Sequence, residues 1–122
     1  MYDIIKLNLT KSERSITAQF RSGILPLHVE TGRFGNNRKD LSERVCNICN
    51  SEQVEDETHF AFICPIYNNF RNDLYHNIQM HNVNFINWTN TEKLKCLFKE
   101  YPRQFAKFLV RAFNRRRNIL FV

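Results

Sequence analysis

Apolar residues recur every three or four positions along much of this chain, which is the period of helices with one buried face. Thr10 to Glu13 has the spacing of a capping box, in which a threonine hydroxyl and a glutamate three residues on each satisfy a free N–H at the helix start. A helix is therefore expected from Lys11, with Ile16 and Phe20 on its inner face and a stop near Gly23. The stretch beginning "GILPLHVETG" mixes Gly, Pro and β-branched residues, so residues 24–45 read as an extended connector. From about Glu57 the positions Phe60, Ile63, Tyr67, Phe70, Leu74 and Ile78 return to the helical period, and Pro65 must interrupt or restart that helix. A second capping box, Thr89 to Glu92, precedes Leu94, Leu97, Phe98 and Tyr101. Pro102 then opens a last helix, about 103–119, through Phe105, Phe108, Leu109, Ala112 and Phe113.

The expectation is a mostly α fold: one small helical domain over residues 1–122, long enough for a single core. Eleven Phe and a hydrophobic fraction of 43% argue against disorder, while no apolar run approaches the ~20 residues of a membrane-spanning helix. The first residues, "MYDIIKLNLT", carry Asp3, Lys6 and Asn8 among their apolar positions and offer no small-residue cleavage site, so they do not read as a secretory signal. An intracellular protein, nuclear or cytoplasmic, is expected. The sequons at Asn8 and Asn87 are then chance matches.

Chemistry concentrates between two helical stretches. Cys46, Cys49, His59 and Cys64 offer three thiolates and one imidazole within "CNICNSEQVEDETHFAFIC". Cys-x2-Cys lets a tight turn aim two sulfurs inward, and the set makes a closed tetrahedral site for one structural Zn²⁺ with no position left for water. On an unbroken α-helix Cys64 would point about 140° away from His59, so the helix must end or bend there, beside Pro65. A zinc-stabilised turn of Cys-Cys-His-Cys order over about 44–65 is expected. The alternatives are buried or unpaired thiols with a surface histidine, or a disulfide in a secreted chain. Glu52, Glu55, Asp56 and Glu57 read as solvated loop and helix N-terminal charge, because zinc prefers the thiolates. Cys96 has no ligand partner nearby and reads as a small, partly buried residue. His28, His76 and His81 lack a neighbouring acid or nucleophile, so no catalytic constellation emerges and an enzyme is not expected.

The net charge of +6 is carried by the end of the chain: residues 103–122 hold six cations and no acid, whereas residues 46–64 hold four acids and no cation. Lys107, Arg111, Asn114, Arg115 and Asn118 share one polar face of the last helix, and with Arg116 and Arg117 they form a candidate track for nucleic-acid phosphates. The competing reading is a solvated helix end that interacts only with its own dipole.

The runs "RSGILPLHVETGRF" and "CNICNSEQVEDETHFAFICPIYNNFRNDLY" resemble the reverse transcriptase zinc-binding domain, which follows the polymerase in open reading frames of non-LTR, LINE-type retrotransposons. Arg21, Gly23, Leu25, Cys46, Cys49, Glu57, Thr58, His59, Cys64, Pro65 and Arg71 carry the resemblance, over residues ~10–75. It implies a zinc-stabilised module that helps hold template RNA or target DNA beside a reverse transcriptase body. The chain has no paired-Asp palm motif and no fingers region, so it is not expected to polymerise by itself. The alternative function is an architectural or protein-interaction finger that docks on a polymerase or another partner, and the acidic 46–64 segment favours it.

Overall fold

The computed structural model describes residues 9–31 and 39–120. The first eight residues, residues 32–38 within the expected connector, and Phe121 and Val122 lie outside the described residues. The chain is built from α1 (Lys11–Ser22), α2 (His28–Thr31), α3 (Asn68–Gln79), α4 (Asn90–Glu100) and α5 (Pro102–Leu120), with short 3-10 turns between them. Among the described residues the only strand-like pairing is an isolated antiparallel bridge between Val45 and Val54. The mostly α expectation holds.

Both capping boxes form. Glu13 N–H donates to the Thr10 hydroxyl at 3.1 Å and Thr10 N–H to the Glu13 carboxylate at 2.8 Å. At α4, Glu92 N–H donates to the Thr89 hydroxyl at 3.2 Å. Gly23 ends α1 in the left-handed conformation, φ 70°, which costs glycine nothing and sends its N–H back to the Gln19 and Phe20 carbonyls. Pro102 starts α5, where a missing N–H leaves no bond unmade.

Helix α5 is the spine. It packs against α1, α3 and α4 through Phe105, Phe108, Leu109 and Ala112, all of them buried. Phe20 of α1 meets Phe105 edge-on at 5.4 Å, and Phe98 of α4 meets Phe105 at the same centroid distance. Edge-to-face rings of this kind add about 0.5–1.5 kcal/mol each beyond their buried area. A second aromatic group joins Phe60 to Tyr67 at 4.9 Å and to Phe113 of α5 at 6.3 Å, which ties the metal-ligand segment to the spine.

The connector departs from the expected extended run. Leu25 and Leu27 are fully buried, and their burial turns the chain into the single helical turn of α2, followed after the undescribed residues by a 3-10 turn at Leu41–Glu43.

Candidate metal centre and the basic helix

The four predicted ligands converge. One donor atom from each of Cys46, Cys49, His59 and Cys64 lies within 4.8 Å of the others. Cys46, His59 and Cys64 are buried and Cys49 half-buried, so the donors face one another in a site shielded from water.

Local structure explains the convergence. Cys46 N–H donates to the Gln53 carbonyl at 2.8 Å and Glu55 N–H to the Arg44 carbonyl at 2.9 Å, so residues 44–55 form a small hairpin with Cys46 on its first arm. Asn50 and Glu52 reverse the chain at φ 55° and 61°. Asn tolerates the left-handed region, whereas Glu there costs on the order of 1 kcal/mol, held by the surrounding bonds. Asp56 then caps the next helical segment by accepting from His59 N–H at 2.8 Å.

Over His59–Ile63 that segment widens into a π-turn, in which Cys64 N–H donates to the His59 carbonyl at 2.7 Å. Closing the ring over five residues instead of four rotates Cys64 back toward the side of His59. The chain then breaks at Cys64, φ −58° and ψ 121°, ahead of Pro65. The expected break is present; the wide turn before it is an addition to the expected pattern.

A buried guanidinium secures this break. Arg71 donates through Nε to the Ala61 carbonyl at 2.8 Å, through Nη2 to those of Cys64 and Phe60 at 2.9 and 3.3 Å, and through Nη1 to Asn68 at 2.6 Å. Burial pulls its pKa below the ordinary guanidinium value, and the carbonyl oxygens that end the ligand helix compensate the charge.

The donor set suits a soft dication. Gln53 Oε1, an acceptor only, lies 3.1 Å from His59 Nδ1, so Nδ1 carries the proton and the Nε2 lone pair is left facing Cys49 Sγ at 3.4 Å. The thiol of Cys64 donates to the sulfur of Cys46, which lowers the Cys46 pKa and, with burial, raises that of Cys64. Metal ligands of this kind bind as thiolates, so a dication bound here would release the thiol protons. Cys96 lies apart from the set on α4, half-buried.

The basic residues divide. Lys107, Arg111, Arg115 and Arg117 are exposed along α5, with Arg111 over the Phe70 ring at 4.4 Å and 3.3 Å from the exposed carboxylate of Asp73. Arg116 does not belong with them. Nine residues beyond Lys107 it has turned about 180° around the helix, and it is buried against Glu55: Nε to Oε2 and Nη2 to Oε1, both at 2.7 Å. Burial opposes its charge, but the pair with Glu55 prevails and raises its pKa. The expectation of a solvated Glu55 is corrected in the same stroke, since its side chain is 3% exposed.

His28 is buried, its Nδ1 hydrogen-bonded to the Val45 carbonyl and its Nε2 3.3 Å from Lys39, which is a structural placement. No helix among the described residues is long and apolar enough to cross a membrane. No protein-family model matches this chain, and comparisons with curated proteins and with solved structures return no match.

Proposed function

We propose that this protein is a zinc-stabilised nucleic-acid-binding module, akin to the C-terminal part of a LINE-type reverse transcriptase and without polymerase activity of its own. One observation supports it above others: a shielded Cys3His donor set organises an acidic hairpin whose Glu55 pairs with Arg116 of α5, the helix that exposes Lys107, Arg111 and Arg115 on its other sides. Cys46, Cys49, His59 and Cys64 would hold Zn²⁺, which supplies folding energy and no reactive water. The hairpin is architectural; its acids keep it from approaching phosphate. Contact with RNA or DNA falls to α5.

The test is a binding titration of zinc-loaded protein with single-stranded and duplex probes at several salt concentrations. With about four phosphates neutralised, log K falls against log salt with a slope of about −3 to −4. Affinity that is absent at low salt, or indifferent to salt, overturns the reading.

A second reading, a protein-docking finger, is favoured by the exposed Met80, Val83 and Ile86 after α3 and by Ile63 beside the metal ligands. A salt-insensitive partner captured through these residues would support it.

A further inference from the structure

Glu55 lies at the junction of three parts of the fold. Its N–H donates to the Arg44 carbonyl within the hairpin, and its own carbonyl accepts from Val29 N–H of α2 at 3.0 Å. Its carboxylate accepts three donors: His28 N–H at 2.6 Å and two N–H groups of Arg116, 61 residues away on α5. With side-chain exposures of 3% and 9%, both charges have left water, and such a pair is tolerable only while its geometry is complete.

That geometry depends on the hairpin. Residues 44–55 contain no helix, a single bridge between Val45 and Val54, and two residues held at positive φ. Few apolar side chains hold the segment, so metal ligation supplies much of its order. Without the metal, Glu55 loses its placement. Arg116 remains on the inner side of α5, where it also lies over the Phe113 ring at 5.8 Å. A guanidinium there without its carboxylate favours opening of the last turns of α5, which hydrates it.

We propose that metal occupancy of the Cys46, Cys49, His59 and Cys64 set and the order of residues 114–120 are two ends of one equilibrium, coupled through the Glu55–Arg116 pair. The inference rests on the zinc reading above. Arg115 and Arg117 flank Arg116, so zinc loading also fixes the cations offered to phosphate, and it gates nucleic-acid affinity without touching nucleic acid. Linkage makes the coupling reciprocal: the state of Arg116 alters zinc affinity by the same factor.

The experiment uses the full chain and no nucleic acid, so it reads apart from the binding reading. Zinc content is measured first; a wild-type protein that holds no zinc overturns the metal centre and this inference with it. Chelator competition then compares wild type, Arg116→Met and, as an exposed control on α4, Lys95→Met. Arg116→Met is expected to weaken zinc binding roughly 5–150-fold, the usual span of coupling between sites, with Lys95→Met unchanged. Zinc bound equally tightly by Arg116→Met overturns the coupling and leaves the metal centre standing. Should Arg116→Met fail to fold, amide exchange of the wild type decides: on chelation, protection is lost at 114–120 and kept in α4. Protection retained at 114–120, or lost equally throughout α4, overturns the proposal.

Discussion

Arg71 Nη2 donates to the Cys64 carbonyl at 2.9 Å, so a guanidinium on α3 holds the residue whose sulfur completes the donor set. The same side chain reaches Ala61 and Phe60. One arginine thus terminates the ligand helix and fixes the angle at which α3 departs from it.

Replacing Arg71 by Leu removes the guanidinium donors from three buried carbonyl oxygens, and that of Cys64 keeps only the long bond from Tyr67 N–H at 3.4 Å. The expected loss is about 2–4 kcal/mol of folding stability, from the cost of unsatisfied buried polar groups. Zinc affinity should fall with it. Urea midpoints with and without chelator measure both, and an unchanged zinc affinity would show that the Cys64 break holds without its clasp.

Purified protein should contain one zinc ion per chain, and Cys49→Ser should lose it. Gln53→Ala, which frees His59 Nδ1, should weaken zinc binding about 10–100-fold, the range seen when a ligand loses its outer partner. Chelation should raise amide exchange over residues 44–65. Metal analysis, chelator competition and exchange mass spectrometry check these in turn.

Cys96 gives a prediction in pH. Burial, and then the Glu100 carboxylate that accepts its S–H, push its pKa up to about 11 from the ordinary 9.0. The folded protein therefore prefers the thiol, and this contribution to stability is present below pH ~9 and lost as pH rises toward ~11. In zinc-loaded protein, alkylation of Cys96 should be slow at pH 8 and climb through that window. A rate that already levels off near pH 9 would mean an unperturbed thiol.

On the basic helix, a combined Lys107, Arg115 and Arg117 to Ala change should weaken binding at low salt. It should flatten the salt slope by about 2–3, one unit for each phosphate that is no longer neutralised. Sequence preference should not change, since phosphate contacts carry none. Tight binding by this triple variant with an unchanged slope would leave α5 merely solvated.

Much of the fold is legible in the sequence because it is local. The capping boxes at Thr10 and Thr89, the stop at Gly23, the start at Pro102 and the ligand set from Cys46 to Cys64 each depend on residues within twenty positions of one another. The π-turn escapes such a reading because periodicity reports a mean rise and not one widened ring, although the five-residue step from His59 to Cys64 is incompatible with an α-helix and points to a local distortion. Arg116 carries a cue in plain sight: it continues the stripe Phe105, Leu109, Ala112, and a cation on a buried stripe implies a buried partner. Which acid it meets depends on how the hairpin folds back onto α5, a long-range contact that no local pattern encodes. The one-turn α2 is hidden for the same reason, since Leu25 and Leu27 are buried by packing and not by their own spacing.

The donor set closes within nineteen residues, whereas the clasp between Glu55 and Arg116 spans 61. On a growing chain the two are separated in time. At synthesis rates of about 5–20 residues per second, Cys64 precedes Arg116 by a few seconds, ample for a short loop to close. If the donor set binds its proposed ion, the finger would take it while α5 is unmade and the spine would then dock onto a carboxylate already in position, so the order of translation would become an order of assembly.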